Sequence, residues 1–126
     1  MADLMAVLLN GIAQLEYDRS KPLPDYQGAY LDKMESKMDA GVEIDGTRVQ
    51  KPDLGQRAQF VAANLAHAIK SNDEAAAAAM CTYLAVRLPD LKQVKIRDSE
   101  GGVAIELVFD EAYVKQYPVQ FTKLKP

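Results

Sequence analysis

One cysteine, one histidine and no tryptophan stand among the 126 residues. A lone Cys81 excludes an intrachain disulfide, and with the lone His67 it cannot complete a closed zinc site. Basic charge is scarce as well. Fifteen Lys and Arg stand against 18 Asp and Glu, so the phosphate neutralisation on which nucleic-acid binding rests is not expected. Long apolar runs are missing: the stretch Leu4–Leu9 is broken by Asn10 and Gly11, far short of the ~20 residues a membrane span needs. Asp3 stands where a signal peptide would be basic, so no such segment and no membrane association are expected. Neither G-x-x-x-x-G-K-[ST] nor G-x-G-x-x-G occurs, which removes the familiar phosphate-cradling loops and leaves no cofactor to assign.

What is present fits an ordinary folded domain. With 48% apolar and 26% charged residues, the chain is expected to form one domain over residues 1–126, with a core that needs no disulfide. The unpaired cysteine fits a reducing, cytoplasmic setting.

Apolar residues three and four apart, at Leu4, Leu8, Ile12 and Leu15, predict a first helix from Asp3 to about Tyr17. Pro22 and Pro24 end it in a linker. A second, amphipathic helix runs from Pro24 to Gly41, with Tyr30, Leu31, Met34 and Met38 on one side and Asp25, Asp32, Glu35 and Asp39 on the other. Asp45-Gly46 between alternating residues predicts a hairpin over 42–49 that sets Glu43 opposite Arg48. Asp53 with Gln56, and Ser71 with Glu74, resemble capping boxes that start a third helix to Lys70 and a fourth ended by Pro89. After Leu91 the period falls to two, giving strands around Val94–Ile96 and Val103–Phe109, in a register that pairs Val94 with Ile105 and Ile96 with Val103. The tail, with Tyr113, Tyr117, Pro118, Val119 and Phe121, suggests a short helical turn and an edge strand. The expected fold class is α+β: a four-helix group with a C-terminal antiparallel β-hairpin or small sheet.

The chemistry-bearing residues do not assemble into a known catalytic set. His67 lies roughly 160° around its helix from the apolar stripe while Cys81 lies on the apolar face of the next, so the two are not a nucleophile and base. A di-iron bundle would need Glu-x-x-His, but Asn64 stands three before His67 and Met38 three after Glu35. The acidic stripe on the second helix, interspersed with Lys33 and Lys37, reads as a solvated face, as does the basic set Lys92, Lys95 and Arg97. No catalytic or metal-binding residue is therefore assigned.

Two surfaces remain. Arg57, Phe60, Asn64 and His67 form a ridge on the third helix away from its apolar stripe, where a large aromatic needs covering by the C-terminal segment, a second subunit or a protein partner. Tyr17, Asp18, Arg19, Tyr26 and Tyr30 cluster around the first linker and could line a polar ligand pocket. The leading expectation is a non-enzymatic cytoplasmic interaction protein, an accessory or regulatory subunit acting through self-association or a protein partner. The alternative is a small-ligand enzyme using the Tyr, Asp and Arg side chains near the linker.

Overall fold

A computed structural model describes residues 3–44 and 46–115. The chain opens with strand, not helix. β1 (Leu4–Leu9) and β2 (Ile12–Asp18) form an antiparallel hairpin closed by Asn10 and Gly11, whose φ angles are 50° and 85°. Two consecutive left-handed residues make the turn whose twist matches that of the flanking strands, and Asn-Gly is the dipeptide that adopts it most readily. The helix expected over 3–17 is thus corrected to a hairpin, and the four-helix group to three helices, among the described residues, beside a four-stranded sheet. The misleading spacing has a physical origin. Met5 to Leu8 are buried throughout, because β1 is an interior strand covered on both faces, and a continuous apolar run satisfies helical and strand periodicity alike.

α1 (Asp25–Asp39) follows Pro24, whose extended backbone caps it, and stops before Gly41 at φ 111°. A side chain at Gly41 would meet the Arg48 guanidinium at 2.9 Å, and that guanidinium donates to the carbonyl of Ala40 at 2.8 Å. β3 (Val42–Ile44) and β4 (Thr47–Val49) then pair as the expected hairpin, Glu43 opposite Arg48. α2 (Leu54–Lys70) begins at a reciprocal capping box: Asp53 accepts from the Gln56 amide at 2.8 Å, and Gln56 accepts from the Asp53 amide at 3.0 Å. α3 (Glu74–Arg87) is capped by Asp73 instead of Ser71. The Ser71 hydroxyl closes α2 on the carbonyl of His67, and Asn72, at φ 59°, turns the chain so that Asp73 meets the Ala76 amide.

β5 (Gln93–Ser99) and β6 (Gly102–Val108) complete a sheet of order β2-β1-β5-β6, in which β1 and β5 are parallel and the other pairs antiparallel. Val94 pairs with Leu107 and Ile96 with Ile105, two residues away from the expected register. Both registers keep the same apolar residues on one face. The turn decides, closing through Glu100 and Gly101 with Gly102 at φ 120°. The helices cover the face carrying Met5, Val7, Val94 and Ile96, and the core of Leu65, Tyr83, Leu84 and Leu91 lies between.

Residues after Val108 return across the opposite face. Gln93 donates to the Glu111 carbonyl at 2.9 Å, Lys95 pairs with the Glu111 carboxylate at 2.9 Å, and Tyr113 and Lys115 both reach Glu16 on β2. These two partners hold the Glu16 carboxyl below its ordinary range. Ala6 and Leu8 are thereby buried on the side away from the helices. Of the residues expected to form an edge strand in the tail, Tyr117, Pro118, Val119 and Phe121 lie outside the described residues.

Candidate functional site: the groove between α2 and the β6 edge

α2 buries Ala58, Val61, Leu65 and Ala68 toward the core and turns Ala62 and Ala66 toward the sheet. Its Lys70 pairs with Asp98 on β5 at 3.4 Å, fixing the C-terminal end of the helix above the β5–β6 turn. Between α2 and β6 runs a groove of about 380 Å³. Val103, Ile105 and Leu107 of β6 form its floor, Ala62, Ala63 and Ala66 its wall, and Phe60 with Ile44 one end. Glu43 stands at that end, and His67 and Lys70 at the other. Ile105 and Leu107 are half-buried against the core, and Val103 remains 43% exposed.

The backbone of β6 is also open. Asp98 exchanges hydrogen bonds with the side chain of Asn10 through both its N–H and its C=O, and the Ile96 carbonyl accepts from the Asn10 amide at 2.8 Å. The main-chain groups of Ile96 and Asp98 therefore point toward β1. In an antiparallel ladder, residues opposite one another aim their main-chain groups the same way out of the pair or into it. Val103 and Ile105, opposite Asp98 and Ile96, consequently aim N–H and C=O away from β5, as does Leu107 two residues on. No strand pairs with this edge among the described residues. Natural edges are usually blunted by charged side chains, Pro or a bulge, and β6 carries one charge, Glu106, with no Pro and no bulge.

Of the ridge expected on α2, the structure brings Phe60 and His67 into this groove. Phe60 is half-buried against the core and also borders a smaller hollow with Met34, Met38, Asn64 and Met80. Asn64 lies on that side and donates to the Phe60 carbonyl at 2.9 Å. Arg57 is held by α1: it pairs with Asp39 at 2.7 Å and Glu35 at 3.5 Å and donates to the Pro52 carbonyl at 3.0 Å. Those contacts raise its already high pKa, the Asp39 bond foremost. The apolar floor on β6 was not among the sequence candidates, although its alternation was visible.

Around the first linker the residues separate. Arg19 donates to the carbonyls of Ala85 and Leu88 at 3.0 to 3.3 Å, placing a cation on the C-terminal end of α3, where the helix dipole favours it. Asp18 accepts from the Ser20 hydroxyl and amide, which keeps its carboxyl below the usual range. Tyr17 packs against the core from β2. Tyr26 and Tyr30 instead flank a shallow hollow of about 240 Å³ against Ala75, Ala78, Ala79 and Thr82 of α3, and Tyr17, Asp18 and Arg19 do not line it.

The acidic side of α1 is a largely solvated face, as expected: Asp25 is exposed, the Asp32 and Asp39 side chains are 81% and 65% exposed even in their ion pairs, and Glu35 is part-buried. Asp32 meets Arg87 at 3.2 Å, Glu35 and Asp39 share Arg57, and Glu35 also accepts from the Tyr83 hydroxyl. Cys81 is buried, and burial pushes its thiol up to about 12, so it stays protonated and unreactive at neutral pH. Among the described residues no three His, Cys, Asp or Glu side chains converge to hold a metal, and no helix is long and apolar enough to cross a membrane. A wider groove of about 850 Å³ lies under the C-terminal segment, bordered by the paired Lys95 and Glu111. Comparison with family models, with curated protein sequences and with solved structures finds no match.

Proposed function

We propose that this chain is a non-enzymatic interaction protein of the cytoplasm, an accessory or regulatory subunit that takes a protein partner in the α2–β6 groove. The observation that carries this reading is the unpaired β6 edge, among the described residues, beside an apolar floor, with Val103 43% exposed and Ile105 and Leu107 half-buried between Phe60 and His67. A strand added at such an edge gains main-chain hydrogen bonds while its alternate side chains fill the adjacent groove. The rim of Glu43, Gln59, His67 and Lys70 supplies the polar border that surrounds an apolar interface centre. An apolar floor in a chain of net charge −3 favours protein over nucleic acid as the occupant. A reducing compartment suits the buried, unpaired Cys81.

Site-specific photocrosslinking in the cell tests the reading. A photoreactive side chain at Ala63, exposed on the groove wall, is expected to give a discrete protein adduct, whereas one at Tyr26, exposed but outside the groove, gives none. Absence of any discrete adduct at Ala63 would overturn it.

A further inference from the structure

Resting on that reading, we infer that the occupant of the β6 edge is a second copy of this chain, joined antiparallel through β6 about a two-fold axis at Ile105. Three features fit this register. The first is the main chain. Ile105 aims N–H and C=O outward, so Ile105 opposite the partner's Ile105 forms a hydrogen-bonded pair, and Val103 opposite the partner's Leu107 forms the next. A register shifted by one residue would oppose an outward residue to an inward one and lose the ladder.

The second is the helix-side face. Val103, Ile105 and Leu107 meet the partner's Leu107, Ile105 and Val103, so the two apolar floors become continuous and the two copies of α2 face each other across them, with small Ala62, Ala63 and Ala66 at the middle. Because the axis reverses the groove, the acidic Glu43 end of one copy meets the His67 and Lys70 end of the other.

The third is charge on the opposite face. Glu106 falls opposite the partner's Ala104, not opposite another glutamate. In the same row Arg97 lies across from Ala104 within one chain, two strand spacings, or about 10 Å, from the partner's Glu106. Arg97 is exposed and makes no ion pair among the described residues, and Ala104 contributes only a methyl between the two positions. Each dimer would hold this pair twice.

Charge reversal tests the register without touching the core. By light scattering, the wild-type chain is expected at twice its 13.9 kDa mass across a dilution series in which Arg97→Glu alone and Glu106→Arg alone are monomeric. Mixing the two variants in equal amounts is expected to restore the doubled mass, since each then offers the other an opposite charge at both contacts. Thermal melts check that each variant folds. Should either fail to melt cooperatively, Ala104→Glu, at an exposed position facing the partner's Glu106, is expected to be monomeric by itself. A monomeric wild type, or a dimer that ignores these changes or is not restored on mixing, would overturn the inference. A monomeric wild type whose Ala63 probe still captures a different protein would overturn the dimer alone, leaving the groove as a docking site.

Discussion

The hydroxyl of Tyr83, a residue wholly buried on α3, donates to the carboxylate of Glu35 on α1. The same carboxylate lies 3.5 Å from Arg57 on α2, so one acidic side chain ties all three helices together. Tyr83→Phe keeps the ring and leaves Glu35 with a single partner. Hydrogen bonds to charged groups contribute about 1.5–3 kcal/mol, and partial exposure of Glu35 to water places this one at the lower end. Chemical denaturation of Tyr83→Phe is expected to show a loss of about 1–2 kcal/mol at unchanged slope. Unchanged stability would mean the bond does not organise the helical layer.

Cys81 supplies a pH test. Burial raises its folded-state pKa from 9.0 to about 12, so its contribution to stability is complete below pH 9 and is lost as pH rises from there toward 12. Tyr83, also raised by burial and by Glu35, adds to alkaline loss in the same direction. Cys81→Ala is expected to cost about 1 kcal/mol near neutrality through a small cavity and to flatten the alkaline decline. A melting temperature measured against pH for both chains checks the two effects together. Rapid modification of the native thiol by an alkylating reagent would contradict the buried assignment.

The Asn10-Gly11 turn is a third point of control. Gly11 holds φ 85° with no neighbour within reach of an added Cβ, so Gly11→Ala introduces backbone strain and no clash. The left-handed conformation costs an ordinary residue roughly 1–2 kcal/mol, and denaturation of Gly11→Ala is expected to fall in that range. Gly55, at the start of α2 with φ in the ordinary range, is expected to accept alanine with little change. Equal effects at the two positions would show that the turn does not carry the strain assigned to it.

Much of this arrangement was legible wherever local chemistry decides. Asp53 with Gln56 announced α2, Pro24 and Gly41 bounded α1, and Asp45-Gly46 marked the β3–β4 hairpin and its register. Asn10-Gly11 carries the same kind of signal, but between two apolar strands it looked like an interruption, because Leu4, Leu8, Ile12 and Leu15 also satisfy a helical period. The β5–β6 register was off by two residues for a related reason: sidedness alone cannot distinguish shifts of two, and Glu100-Gly101 settles it. At the groove, Phe60 and His67 were visible as a ridge on one helix. Val103, Ile105 and Leu107 became its floor only because β1 inserts between β2 and β5, which leaves β6 at the edge. That outcome belongs to long-range topology, not to the residues of β6 themselves.

The most direct test of an occupied β6 edge is amide hydrogen exchange along the strand. In an isolated chain the inward amides of Ala104 and Glu106 are held by β5, while the outward amides of Val103, Ile105 and Leu107 have no ladder partner among the described residues, so protection would alternate with period two. With the edge paired to a second copy, all five amides are expected to be protected in concentrated protein, and the outward three to lose protection on dilution. A period-two pattern that persists at every concentration would contradict the account.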